Sequence, residues 1–177
     1  MTFDLSGRDL RGRDLHGADL RAADLRGVDL SRADLRAADL RGVDLSQADL
    51  RGACLAGARL VGARFLFARL SPADLSGADL AGVDLSIQIL RKVDFSSSIL
   101  RQAALWGSDL TGSKMHGADL QEAVLDDATL VDVDLTNANL RSCSLIGADL
   151  TRTDFTDAII TGACFAFAVR DGTVGLP

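Results

Sequence analysis

From Leu5 to Phe165 every fifth residue is large and apolar without a skip, 33 positions in succession. Leu fills all of them except Phe65, Phe95, Met115, Phe155, Ile160 and Phe165. Two residues before each stands a small or modest side chain, as at Ala18, Ala23, Val28, Ala33 and Ala38. Asp usually lies between the two, and Arg, Ser or Thr follows, often with Gly next. A period of five matches neither the 3.6 of an amphipathic helix nor the 2 of a strand. Repeated Asp and Gly are also poor helix formers. The chain must return to the same side of a core every five residues, which a coil does if it turns a corner once per repeat. The centre residue and the one two before it then point inward, and the other three positions point out.

The units "ADLRG", "VDLSR" and "ADLSG" are copies of one motif, small-Asp-Leu-(Ser/Thr/Arg)-Gly. In tandem they resemble the pentapeptide-repeat family over residues 3 to about 169. The resemblance implies an all-β fold, a right-handed quadrilateral parallel β-helix with four repeats per coil. Residues 1–177 then form one solenoid domain of about eight coils with a short tail at 170–177. At the spacing of paired strands the coils make a rod roughly 40 Å long. Leu10, Leu30, Leu50, Leu70, Leu90, Leu110, Leu130 and Leu150 fall in one column of that register. Aromatic residues are few and Tyr is absent, as suits a narrow interior filled by Leu and Ala.

Little else in the sequence suggests chemistry. Cys54, Cys143 and Cys164 fall on different coils, too far apart to pair. With an odd thiol count and no signal-like start, a reducing cytoplasm is expected. No stretch approaches membrane-spanning length. His16 and His116 share a column but lie five coils apart, about 24 Å, so they cannot share a metal ion. The aspartates occupy a convex wall at fixed register, and no insertion makes a lid or pocket, so neither catalysis nor a cofactor is expected.

Charge and exposed apolar residues give the candidate surfaces. Arg59, Arg64 and Arg69 replace Asp in three successive repeats. Arg59 and Arg64 lie between aspartates of adjoining coils and Arg69 between Asp49 and Ile89, so the belt relieves repulsion in the Asp columns or, as the lesser reading, forms a binding patch. Residues 1–105 carry 15 Lys or Arg against 14 Asp, whereas residues 106–177 carry 4 against 11 acids, a net of −7. Asp119, Glu122, Asp126, Asp127, Asp132 and Asp134 belong to this acidic half, wrapped around a coil, and are a partner-binding or merely solubilising set. Leu66, Phe67, Ile87 and Trp106 face outward in neighbouring coils, with Ile89 and Ile99 in Asp positions nearby. They are either a contact surface or a local cap over an irregular region. Gln88 and Ser98 sit at inward positions there, so a bulge is expected.

The family resemblance implies one specific partner, since some bacterial members bind DNA gyrase or topoisomerase IV as DNA mimics and protect it from quinolones. An acidic rod can occupy a basic DNA saddle without binding nucleic acid itself. The alternative is a general protein-interaction scaffold using flat faces and the apolar patch. At the amino end Arg8 and Arg13 stand at inward positions and make the first coil polar. At the carboxyl end Phe165, Phe167 and Val169 are followed by a short tail, so a homodimer through this apolar end is expected.

Overall fold

A computed structural model describes residues 3–176. Its repeating element is a flat side of about three residues followed by a two-residue turn, continued from Leu5 to Val174 with no helix among the described residues. Two strands, β1 (Phe3–Asp4) and β2 (Ala23–Asp24), pair in parallel. Beyond them each side is too short for a longer strand, and contact is a single parallel bridge between residues twenty apart. The bridges run from Asp9↔Asp29 to Asp154↔Val174. One coil therefore takes four pentapeptides, and the chain is a repeat β-helix. The four sides are named below by their residues in the second coil, Asp24, Asp29, Asp34 and Asp39.

Two kinds of hydrogen bond build each repeat. Across coils, Leu30 N–H donates to Asp49 O at 2.8 Å and Asp49 N–H to Val28 O at 2.9 Å. Around each corner, the residue three after the centre donates back to it, as Ala33 N–H does to Leu30 O at 3.0 Å. The second corner residue has positive φ, the requirement of a type II turn. Gly serves at many corners, and Asn or Asp at others, such as Asp127 (φ 55) and Asn137 (φ 59). These residues tolerate the left-handed region better than most.

The fives form the core. From Leu25 to Phe155 every one is buried, and Leu30, Leu50, Leu70, Leu90, Leu110, Leu130 and Leu150 are fully enclosed in their column. Burying each such side chain contributes about 1.5–3 kcal/mol. Leu5, Leu10 and Leu15 are only half-buried at the amino end, and Arg8 and Arg13 are exposed despite their inward register, because their long side chains escape through the open coil. At the carboxyl end the bridge register runs on to Val174, within the stretch assigned from sequence to the tail. Gly175, at φ +80, crosses the end of the coil so closely that a Cβ would lie 2.5 Å from the Phe155 carbonyl carbon. Leu176 then packs against the core.

The repeat Asp has a local structural task. Its Oδ1 accepts the N–H two residues on, as from His16 to Asp14 at 3.0 Å and from Ser76 to Asp74 at 2.9 Å. This ties the flat side to the following corner. Where Arg follows, the guanidinium closes a second ring on the same carboxylate. Arg36 Nε reaches Asp34 Oδ1 at 2.8 Å and Nη2 reaches Oδ2 at 2.5 Å. These arginine contacts, with the backbone N–H, hold Asp9, Asp19, Asp34 and Asp39 at about 2, below the ordinary 3.8. A depressed folded-state value gives stability that is fully present above the unfolded value and lost as pH falls through the folded one. The melting temperature is therefore expected to fall between about pH 4 and pH 2. Thermal melts across that window check this, and a flat profile would contradict it.

Candidate interaction surface

The corner between the Asp24 and Asp29 sides carries the apolar residues singled out in the sequence. Phe67 and Ile87 occupy the same corner position in successive coils and are 72% and 69% exposed. Leu66 and Trp106 stand in the adjoining column with Ser86 between them, and Ile89 follows on the Asp29 side; all three apolar side chains are exposed. Trp106 is held here by its main chain, whose carbonyl accepts Ile87 N–H at 2.8 Å, and by its indole, which donates to Asp127 Oδ2 at 3.3 Å. Ile99 lies on the Asp39 side, away from this corner.

Beneath the patch the ladder opens. Neighbouring coils show the regular pattern: Leu45 N–H donates to Arg64 O at 2.8 Å, and Leu85 N–H to Ala104 O at 2.7 Å. The equivalent bonds between these two coils are Phe65 N–H to Asp84 O, Leu70 N–H to Ile89 O, Asp84 N–H to Ala63 O and Ile89 N–H to Ala68 O. Among the described residues none of these is made, and Arg64 and Asp84, like Arg69 and Ile89, form no bridge. The Asp34 and Asp39 sides stay closed at the same level, through Leu75 N–H to Asp94 O at 2.7 Å and Leu80 N–H to Ile99 O at 2.8 Å. The coils thus diverge as a wedge whose mouth is the Phe67–Ile87 corner.

Gln88 props the wedge. It occupies an inward position otherwise given mostly to Ala, Val or Ser, and an amide drawn toward the interior must find partners. Its Nε2 turns across the gap and donates to Phe65 O at 3.0 Å. A hollow of 220 Å³ lies on one side of it, bordered by Arg64, Leu66 and Asp84. Another of 430 Å³ lies on the other, bordered by Arg51, Phe67, Arg69, Ile87 and Ile89. The expected bulge is therefore at Gln88. Ser98 behaves differently: it is buried with its hydroxyl unpaired, yet its side of the coil keeps the regular ladder.

The corner conformation is itself costly. Phe67 and Ile87 both have φ 59, and a β-branched residue in that region is strained. Ile87→Gly is expected to raise stability by about 1 kcal/mol, the left-handed penalty less the chain entropy of glycine. Urea unfolding checks this; a lower midpoint would show that Ile87 stabilises the fold through its side chain.

The acidic residues do not form one surface. Asp119 pairs with Arg101 and accepts Asn139 Nδ2 at 2.9 Å. Glu122 accepts Gln102 Nε2 at 2.9 Å, and Asp132 is gripped by Arg152 at 2.6 and 2.8 Å. Asp126 accepts Ile146 N–H at 2.9 Å, and Asp134 caps Thr136 N–H at 3.0 Å. Only Asp126 and Asp127 share the patch corner. The Arg belt follows the expected register, with Arg59, Arg64 and Arg69 reaching Asp39, Asp44 and Asp49 at 3.5, 3.8 and 3.4 Å. At the carboxyl end Phe165 is half-buried, with Arg170 5.2 Å over its ring, whereas Phe167 is 91% exposed and Val169 is exposed. Burial pushes the Cys143 thiol up to about 12. His116 Nδ1 meets Thr136 Oγ1 at 2.7 Å. Among the described residues no three His, Cys, Asp or Glu gather as metal ligands, and no helix is long and apolar enough to cross a membrane.

A β-helix of tandem pentapeptides defines a class of solenoid proteins. The family model for pentapeptide repeats matches residues 4–36, 14–52, 29–65, 50–86, 89–127 and 134–166, and the chain belongs to that family. The matched stretches skip Ile87 and Gln88, the residues at the wedge, as well as residues 128–133. Among solved structures the chain is similar to HetL, a pentapeptide repeat protein involved in heterocyst differentiation regulation from the cyanobacterium Nostoc sp. strain PCC 7120. The two share 34% identity over 97% of this chain and 86% of that one, with a TM-score of 0.57. A pentapeptide repeat protein of the Arabidopsis thaliana thylakoid lumen is 40% identical over 51% of this chain and 66% of its own, with a TM-score of 0.45. QnrB1, a plasmid-mediated fluoroquinolone resistance protein, is 18% identical over 96% and 90%, with a TM-score of 0.43. A search of curated proteins found no match.

Proposed function

We propose that this chain is a non-catalytic protein-interaction module that binds its partner through the Phe67–Ile87 corner. The observation that carries this reading is the coincidence, at one corner, of clustered exposed apolar side chains, left-handed strain at Ile87 and an opened ladder beneath them. The right-handed, four-sided frame of about eight coils supplies a rigid mount. A photo-crosslinking residue at position 87, in cells that make the protein, is expected to yield a discrete adduct that Phe67→Asp removes. The same residue at position 157 is expected to yield none. Equal adducts at both positions, or none at 87, would overturn the reading.

A second reading rests on charge. Residues 106–177 carry a net of −7, and Asp134 and Asp154 stack on successive coils of the Asp34 side. An acidic rod of this kind suits a DNA-mimicking modulator of gyrase or topoisomerase IV. On that reading the protein inhibits or protects gyrase in a supercoiling assay without binding DNA, and the effect weakens as salt rises. Replacing Asp126, Asp127, Asp132 and Asp134 together by Asn removes the effect and leaves the fold intact. No effect at micromolar protein sinks this reading. Exposed Phe167 and Val169, beside Phe165, support pairing of two copies through the carboxyl end. Light scattering then gives the mass of two chains, reduced to one by Phe167→Asp.

A further inference from the structure

The geometry points to the 430 Å³ hollow beside Gln88 as a receptor site for an extended peptide bearing an apolar side chain and, next to it, a carboxylate. This rests on the reading of the corner as a protein-binding surface and names the chemistry it selects. Phe67, Ile87 and Ile89 border the hollow and expose apolar surface that nothing in the fold covers. Burying it requires an apolar side chain from outside. The ladder between Leu70 and Ile89 is interrupted, so both present main-chain groups free of their usual cross-coil partners. An extended main chain can satisfy such groups, as it does at any sheet edge.

Charge selects among extended segments. In this fold an Arg in the Asp column normally stands between two carboxylates, as Arg59 stands between Asp39 and Asp79. Arg69 stands between Asp49 and Ile89 in sequence register, and its ion pair is to Asp49 at 3.4 Å. Asp49 already binds Arg51 Nη2 at 2.6 Å. Two guanidiniums at the rim of the hollow therefore share one carboxylate, and Ile89 occupies the place where the repeat would supply another. A carboxylate on the ligand completes this set. Asp126 and Asp127 at the far end of the corner repel the same charge, so the peptide lies with its acidic residue toward Arg51 and Arg69.

The test uses the full chain, with Trp106, its single Trp, as the reporter at the edge of the patch. The probes are three capped hexapeptides: Ser-Gly-Leu-Asp-Gly-Ser, the same with Lys for Asp, and the same with Ser for Leu. The first is expected to change Trp106 fluorescence saturably. Each of the other two is expected to bind at least about tenfold more weakly, a difference of about 1.4 kcal/mol. Ile89→Asp, which restores the repeat's own carboxylate beside Arg69, is expected to weaken the first peptide by about the same factor, whereas Ile99→Asp on another side leaves it unchanged. Binding that ignores the Asp-to-Lys exchange or Ile89→Asp overturns the carboxylate site. No saturable change with any peptide also overturns it, and if position 87 still crosslinks a protein, the interaction surface stands without this chemistry. Loss of that crosslink as well removes the broader reading.

Discussion

Leu90→Asp is expected to cost at least about 4 kcal/mol, enough to unfold a marginally stable domain. Leu90 is fully buried in the column that runs from Leu30 to Leu150, between Leu70 and Leu110 in adjoining coils. A carboxylate there enters an interior built chiefly of the leucine ladder, and the ladder bonds that flank it leave no main-chain donor free on the closed side. Leu90 N–H is already committed to Asp109 O at 2.7 Å. Ser86→Asp, at a partly exposed corner position of the same coil, is expected to change stability by about 0.5 kcal/mol or less. Urea denaturation of both variants checks the register. Equal effects would mean that the fives do not line the core.

The second large effect has the opposite sign. Gln88→Ala is expected to stabilise the protein by about 2 kcal/mol. The variant loses one hydrogen bond, from Gln88 Nε2 to Phe65 O, and gains the chance to close the ladder. Each recovered main-chain bond contributes about 0.5–1.5 kcal/mol net. Ala is the commonest residue two before the centre in this chain, so the smaller side chain fits a regular coil. The denaturation midpoint should rise with the slope unchanged. Closure should also eliminate the 430 Å³ hollow, so the same variant loses the peptide binding proposed above. A midpoint at or below that of the parent protein would show that another feature, such as the turns at Phe67 and Ile87, opens the wedge.

The sequence displayed the solenoid clearly because a narrow core admits one large side chain per side, and that demand recurs every five residues without exception. The twenty-residue register followed from the family resemblance, and the bridges from Asp9↔Asp29 onward show it. The task of the repeat Asp was less legible. Its position on the outer wall was read correctly, but its bond to the N–H two residues on, as from His16 to Asp14, depends on corner geometry that periodicity does not specify. The recurrent order Asp, Leu, then Ser, Thr or Arg was the available signal.

At the candidate surface the sequence indicated Leu66, Phe67, Ile87 and Trp106 and an irregularity beneath them. It could not separate Gln88 from Ser98 as the cause. A serine hydroxyl is small enough to be enclosed unpaired while the ladder continues, whereas a Gln amide is too long for the interior and must reach across coils. Nor could it show that two sides open while the opposite two remain bonded, because that balance is set by competing cross-coil bonds. The acidic residues were placed on the right coils, but their individual partners, such as Arg152 for Asp132, were not readable from spacing.

Residue-resolved amide hydrogen exchange tests the central claim most directly, since opening free energies vary along a chain with the local hydrogen bonding. A β-helix with a wedge between these two coils predicts slow exchange at Leu45, Leu85 and Leu105, whose cross-coil bonds are 2.7–2.8 Å. Phe65, Leu70, Asp84 and Ile89 are expected to exchange at least about a hundredfold faster. Uniform protection along all of these positions would contradict the wedge and, with it, the binding surface built upon it.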